Sequence, residues 1–485
     1  MFARLKHKKM KKNLIALLIL TCITSINFAQ RGARLFTEAA ISESNGDFKI
    51  FSTPNHVYVH EINEKSGQKV QKFYVFDLRG SKPTKVDFKS ISVKNPELFS
   101  PHVIKDVFGI FESYYDVKEK TRYIYLHNIS AEGVVSSRVI HKFKDETPDN
   151  PEMEFVHSPY LRFAAIYIFR RNSVNGAATG DILSLNSKLE LSAARQIKFE
   201  ERIALNSKFK ILISDKNTFV VIHAAKDKEN RDTHFMYSLQ LSAENAELQK
   251  NPIVVNNTSN LFTYRAFVDE KSQIQLYGFF KDRDSKKPLN FVSQTINMES
   301  AKNISELKIL HDPFESDIFD GIMSTTESTT IIAFTSSFVS GDTPPAIKFV
   351  CINEKGEKVW ENRIVSSIDS RVAEKFQINP AGRNFTYWMQ NNNLYCLYNI
   401  LDNSNITPAT TLSASNISKN TITPMVRVYN LNDGKYVERA LSISNQEKFE
   451  NSFVLVKSSD FSNQKFGISF LNIGKGNYLM MQIMP

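Results

Sequence analysis

The stretch that decides the fold is CINEKGEKVWENRIV, residues 351–365. Alternating apolar residues flank Asn353-Glu354-Lys355-Gly356. That is the pattern of two strands joined by a tight turn, with glycine free to take positive φ. The stretch has relatives along the chain: VFDLRGSKPTKVDF (75–88), LHNISAEGVVSSRV (126–139), LSLNSKLELSAARQI (183–197), LQLSAENAELQ (239–249), QTINMESAKNIS (294–305) and VYNLNDGKYVE (428–438). Aligned on Leu78, Ile129, Leu185, Leu241, Ile296, Ile352 and Leu431, they step by 51, 56, 56, 55, 56 and 79 residues. A nearly fixed period of this size marks a repeat architecture.

A second register supports the first. Upstream of the hairpins lie further polar turns, marked by Pro159, Asp215, Glu270, Thr326, Pro380 and Asp460, with steps of 56, 55, 56, 54 and 80. Both registers lengthen in the same repeat by about 24 residues, which places an insertion at about 391–423. Each repeat therefore reads as strand A, polar turn, strand B, variable loop, strand C, hairpin, strand D. Four antiparallel strands per repeat make the blade of a β-propeller.

Across residues 31–485 the chain resembles the broad β-propeller superfamily, with turn pieces such as SP, NPAG and KGEKVW similar to those of secreted bacterial WD-repeat-like and TolB-like propellers. No subfamily motif is complete. The expected fold class is all-β, a propeller of four-stranded antiparallel blades. Counting the polar turns, with SPHVIKDVFGIF (100–111) as the second, gives eight blades; counting hairpins gives seven as the alternative. In the last repeat A falls near 451–457, B near 465–471 and C near 477–484, and the N-terminal RLFTEAAI (34–41) is expected to supply its D strand and close the ring. Residues 31–42 and 366–375 also carry enough helical periodicity for a turn or two of helix.

The N-terminus reads as a secretory signal. Six Lys/Arg fall in its first twelve residues, followed by an apolar run from Leu14 to Ile26 and a small residue, Ala29. Residues 1–29 are thus assigned as signal peptide and 30–485 as one propeller domain. The expected location is periplasmic, outer-membrane-associated or extracellular. No transmembrane span is expected in the mature chain, because about 20 apolar residues are needed for one. Without the signal the chain keeps 55 basic residues against 51 acidic, so its net charge is about +4 rather than +10. The sequence pI of 9.1 overstates its basicity, and nucleic acid is not an expected partner. Cys351 and Cys396 remain, either paired in an oxidising compartment or as two separate thiols.

Function is expected on the longer B–C loops, since loops on a rigid scaffold carry recognition. Lys118, Lys120, Arg170, Arg171, Lys226, Lys228, Arg231, Lys281, Arg283, Lys286 and Lys287 would ring that face, with acids interleaved. RNFTYWMQNNNLYCLYNI (383–400) adds Tyr387, Trp388, Tyr395 and Tyr398. Aromatics beside a polar loop suit stacking on a sugar or peptide; alternating along strands, they suit a core between blades. The catalytic search is negative: there is no Gly-x-Ser-x-Gly elbow, no His-Glu-x-x-His, no phosphate loop and no dinucleotide fingerprint. No catalytic residue, cofactor or metal ligand is assigned. The reading is a non-enzymatic binding or scaffolding module of the bacterial envelope with a protein, peptide or glycan partner. The alternative is a secreted propeller enzyme, a glycan hydrolase or lyase, or a carbohydrate-binding protein.

Overall fold

A computed structural model describes the strands given below, residues 87–89, 91, 117–120, 130–134, 151, 158–162, 187–190, 200, 203, 214–217, 241–248, 269, 271–272, 298–304, 329, 353, 357, 392 and 431–435. The chain divides into two compact units, one holding residues 46–370 with 430–435 and the other the remainder.

The first unit is a series of four-stranded antiparallel sheets, each of four consecutive strands. The composite sheet introduced further on takes β1 (Ala33–Ala39). Blade one is β2 (Asp47–Ser52), β3 (His56–Lys65), β4 (Gln68–Asp77) and β5 (Thr84–Val86). Blade two is β6 (Glu97–Ile104), β7 (Val107–Asp116), β8 (Thr121–Ile129) and β9 (Val135–Lys144). Blade three is β10 (Glu152–His157), β11 (Phe163–Arg171), β12 (Ala178–Asn186) and β13 (Leu191–Phe199). Blade four is β14 (Phe209–Ile213), β15 (Thr218–Lys226), β16 (Asp232–Gln240) and β17 (Gln249–Ile253). Blade five is β18 (Ser259–Val268), β19 (Gln273–Asp282), β20 (Asn290–Asn297) and β21 (Lys308–His311). Blade six is β22 (Asp317–Ser324), β23 (Thr330–Ser336), β24 (Ala346–Ile352) and β25 (Lys358–Val365).

In the second unit, blade seven is β26 (Phe385–Gln390), β27 (Asn393–Leu401), β28 (Ile422–Asn430) and β29 (Tyr436–Ala440). A composite sheet follows: β30 (Phe453–Leu455), β31 (Gly467–Asn472) and β32 (Tyr478–Ile483), with β1 paired antiparallel to β32. The described chain is thus a β-propeller with seven blades of consecutive strands, one fewer than the eight expected from the turn registers. The sheet left over is assembled from the two ends of the described chain.

Three expectations are corrected. Residues 33–39 are a strand rather than a helical turn; the segment 366–375 lies outside the described residues. The A–B turn of blade seven is not NPAG but Gln390–Asn393, where Asn392 takes φ 56. Two polar, Asn-rich segments compete for that assignment, and the apolar alternation of residues 385–390 suits strand A as well as strand B. The insertion therefore narrows. Asn393–Leu401 is strand B and Ile422 opens strand C, so only 402–421 lies between them, outside the described residues.

Period-two alternation builds the core. In β11, Ala164, Ile166 and Ile168 pack toward Phe111, Ile124 and Leu126 of blade two. The intervening Ala165, Tyr167 and Phe169 pack toward Ile211, Phe219, Val221 and Tyr237 of blade four. A strand covered on both faces reads as a continuous apolar run, which is why FAAIYIF shows no polar alternation. Fourth strands show the opposite pattern: most of β9 and β13 is exposed or half-buried.

The hairpins repeat one chemistry. Asn353 N–H donates to Glu357 O at 3.0 Å, and its Oδ1 accepts Glu357 N–H at 2.9 Å. Asn186 and Glu190 make the same pair of bonds at 2.9 and 3.0 Å. The fourth turn position is left-handed at Leu189 (φ 62) and Gly133 (φ 80); Gly356, its counterpart, is outside the described residues. Four of the C–D turns receive a side-chain donor from the preceding D strand. Arg138 donates to Leu189 O at 2.8 Å, Arg195 to Ala243 O at 3.4 Å and Asn251 to Ser300 O at 3.0 Å. Trp360 Nε1 donates to Leu431 O at 2.8 Å, and Asn362 to Gly434 O at 3.0 Å.

Gly434 takes φ 67, and a Cβ there would meet Trp360 Cγ at 2.6 Å. Gly434→Ala is therefore expected to cost about 1–3 kcal/mol through backbone strain and overpacking. Trp360→Phe keeps the ring and removes the N–H, with an expected cost of about 1–3 kcal/mol for the buried carbonyl. Thermal unfolding followed by circular dichroism measures both. Unchanged midpoints would refute the clasp.

Candidate functional site

One B–C turn, in blade two, lies wholly within the described residues. Asp116 Oδ1 accepts the N–H groups of Lys118 at 2.9 Å and Glu119 at 3.1 Å, an Asx turn. Lys120 takes φ 47. Glu119 O accepts from Thr121 Oγ1 at 3.0 Å and from Lys144 Nζ at 2.9 Å. Glu119 Oε2 accepts Tyr123 O–H at 2.5 Å, and that bond, more than any other influence, pushes the Tyr123 phenol up to about 12. The turn is held by these bonds, and it leaves Val117, 76% exposed, beside exposed Lys118, Glu119 and Lys120.

At the same end of blade three, Arg170 is already engaged. Its Nη2 lies 2.5 Å from Asp181 Oδ2, and its guanidinium sits 4.4 Å over the Phe143 ring of blade two. Asp181 Oδ1 accepts Gln196 Nε2 at 2.7 Å. His141 neighbours this cluster. Burial holds its imidazole below the ordinary histidine range, with Asp181 opposing and Arg170 reinforcing that shift. A cation stacked on an aromatic ring and paired with a buried carboxylate joins two blades. It is not a free charge of a binding face.

Lys118 and Lys120 are exposed as expected. Arg171, Lys226 and Lys281 lie at or beside the B-strand ends of β11, β15 and β19. Lys228, Arg231, Arg283, Lys286 and Lys287 fall outside the described residues. Of the aromatics, Tyr387 is half-buried, whereas Trp388, Tyr395 and Tyr398 are buried. Trp388 stacks on Tyr395 at 5.2 Å. Tyr398 donates to Glu438, which also pairs with Arg427 at 2.5 Å. These rings are blade core, corrected from the loop platform they suggested, because they lie on strands β26 and β27. Cys351 and Cys396 are buried free thiols; burial pushes Cys351 up to about 12 and raises Cys396 as well.

Sequence reading missed the polar networks inside the blades. Tyr167 O–H lies 2.9 Å from His223 Nε2 within a cage of Phe169, Phe199 and Phe209. Glu112 and His127 are fully buried in blade two. A usable signal existed: Glu112 interrupts the apolar run VFGIFESYY, and a carboxylate inside such a strand needs a partner.

No family model matches the chain, and no curated protein matches it in sequence. Among solved structures, the WD40 domain of SCAP from fission yeast is similar over 93% of this chain and 98% of that one, at 9% identity and TM-score 0.42. The β-propeller domain of the Trilobed protease from Pyrococcus furiosus is similar over 82% and 96%, at 10% identity and TM-score 0.40. Prolyl oligopeptidase B from Galerina marginata is similar over 89% of this chain and 56% of that one, at 9% identity and TM-score 0.44. The chain spans little more than half the length of that peptidase. The propeller assignment rests on the blades themselves.

Two outcomes are expected at the Arg170 cluster. Asp181→Ala strands a half-buried guanidinium and should cost about 2–3 kcal/mol, read as a lowered thermal midpoint. In the folded chain burial lowers the pKa of His141 below its ordinary value, while the unfolded chain takes up a proton near pH 6.5. Its contribution to stability is therefore present above that pH and lost as pH falls through it. The gap in thermal midpoint between pH 7.5 and 5.5 should shrink in His141→Gln; an unchanged gap would exclude His141 as its source.

Proposed function

We propose that this chain is a secreted β-propeller that serves as a protein-binding or scaffolding module of the bacterial cell envelope, meeting its partner through the B–C ends of its blades. The observation that carries the reading is the Asp116–Lys120 turn. It is fixed by hydrogen bonds to its own backbone and to Lys144, and it leaves an apolar side chain, Val117, exposed beside Lys118 and Lys120. A preorganised turn loses little entropy on binding, so its exposed groups contribute to affinity in full. The chemistry suits a protein or peptide segment with an apolar residue beside acidic ones.

Secretion is supported by the basic, apolar and small residues of 1–29 in order. N-terminal sequencing of the native protein should begin near Gln30; retention of residues 10–26 would indicate an anchor instead. The N-terminal strand β1 is read as completing the composite sheet beside β32. The support is its antiparallel pairing with β32, Ala33 opposite Ile483 and Ala39 opposite Tyr478, with one register shift between Leu35 and Thr37. Deleting residues 33–39 would leave β32 an open edge, and aggregation on size-exclusion chromatography is the expected result.

The binding reading is tested with a photo-crosslinking residue at position 117 in the producing cells, against one at exposed Lys271 on an A–B turn. A discrete crosslinked species is expected from position 117 and not from position 271. No product at 117, or the same products at both, would sink the reading.

A further inference from the structure

Three side chains on three neighbouring strands of blade two align in one chain of hydrogen bonds. Glu112 stands on β7, His127 on β8 and Ser137 on β9. Glu112 Oε2 lies 2.9 Å from His127 Nε2, and His127 Nδ1 lies 2.7 Å from Ser137 Oγ. Glu112 and His127 are fully buried, whereas Ser137 is exposed. Glu112 Oε2 also accepts Ile91 N–H at 3.1 Å, and the Phe88 ring meets the imidazole edge-on at 5.1 Å.

One arrangement of protons satisfies all three partners. With Glu112 ionised its carboxylate only accepts, and Nε2 of a neutral His127 then carries the imidazole proton toward it. Nδ1 is then bare, and the Ser137 hydroxyl donates to it. A buried base, fixed in one tautomer by a carboxylate and hydrogen-bonded to an exposed serine, is the activation logic of a nucleophilic serine.

Register explains why the three meet. Ser130 N–H donates to Val134 O at 2.9 Å, and the β8–β9 pairs then run Ile129 with Val135, Asn128 with Ser136 and His127 with Ser137. Hydrogen-bonded and non-hydrogen-bonded pairs alternate, so His127 and Ser137 form a non-hydrogen-bonded pair, the kind whose side chains approach most closely. In such a pair the backbone N–H and C=O of Ser137 turn away from β8, toward the open side of the last strand in this sheet. That N–H is placed to meet an oxyanion forming at Ser137. On the same face, Tyr125 pairs with Val139, half-buried and 45% exposed respectively, an apolar strip beside the serine.

We propose that Ser137 is an activated nucleophile that hydrolyses small carboxylic esters, with His127 as general base and Glu112 as a positioning residue. Ser137 Oγ adds to the ester carbonyl carbon while its proton passes to His127 Nδ1. The bond to the alcohol oxygen breaks, and that oxygen leaves with the same proton. Water then attacks the acyl-Ser137 ester, giving its proton to Nδ1. The acid is released, and the proton returns to Ser137 Oγ. This activity rests on no part of the partner-binding reading and stands or falls without it.

The test uses the mature full-length protein and a fluorophosphonate–biotin probe. Ser137 Oγ displaces fluoride at phosphorus and the serine proton leaves through His127, so the adduct marks the activated serine. Tryptic mass spectrometry should place the adduct on Ser137. Labelling should be at least ~10-fold faster in native than in heat-denatured protein, and its rate should rise with pH. Ser137→Ala, an exposed change, should fold normally and lose the adduct. Glu112→Gln and His127→Gln should slow labelling at least ~10-fold if circular dichroism shows them folded. Should either fail to fold, the native-to-denatured ratio and the pH profile decide. An unlabelled Ser137, or a rate that is the same after denaturation and flat with pH, would leave the trio as structural hydrogen bonds and overturn the proposal.

Discussion

The described part of this propeller depends on one constraint: the central strands of each blade are covered on both faces. Residues at even and odd positions of a strand face opposite ways, so β11 sends Ile166 to one neighbour and Tyr167 to the other. Neither face can be polar without a partner, and each apolar side chain so buried contributes roughly 1.5–3 kcal/mol. A one-residue slip in any blade would exchange both interfaces at once. Register is therefore fixed from two sides, and β19 shows the same division, Ile274 and Leu276 facing blade four and Tyr277 and Phe279 facing blade six.

Packing alone leaves a blade free to slide along its neighbour. The hairpin carbonyls remove that freedom. Arg138, Arg195, Asn251 and Trp360 come from different D strands and have different chemistries, yet each reaches the C–D turn of a later blade. The same is done at the A–B turns by Asp215, which accepts Ser158 O–H at 2.6 Å and Tyr160 N–H at 3.0 Å. What recurs is the position of a donor and an acceptor rather than a residue type. At these positions the A–B and C–D turns both help hold neighbouring blades together.

Charge distributes by the same rule. A basic sequence invites a picture of a cationic face, but the structure assigns one of its arginines to architecture. Arg170 pairs with Asp181 and stacks on Phe143, joining blades two and three. Lys118 and Lys120, on a turn closed by Asp116, remain exposed. Blade two thus carries both an outward-facing turn and, across its three outer strands, the Glu112–His127–Ser137 series. No sequence motif announces that series, because its members are 15 and 10 residues apart and meet only across a sheet.

The sequence by itself determined the all-β class, the four-strand repeat, the hairpin chemistry of CINEKGE and the strand positions of the last repeat. These are local or periodic properties: a turn is set by a few neighbouring residues, and a blade by spacing. It misplaced strand A of blade seven because FTYWMQ alternates as either an A or a B strand, and only pairing with Asn393–Tyr398 tells which. It named Trp388, Tyr395 and Tyr398 as binding candidates while favouring a core for such alternating aromatics, since the same alternation serves both. Only the tertiary structure decided which charges are spent between blades, which side chain reaches each hairpin carbonyl, and that a glutamate, a histidine and a serine form one line. The physical reason is common to all three. Each is fixed by register between segments distant in the chain, and register is a property of the assembled sheets rather than of any stretch within them.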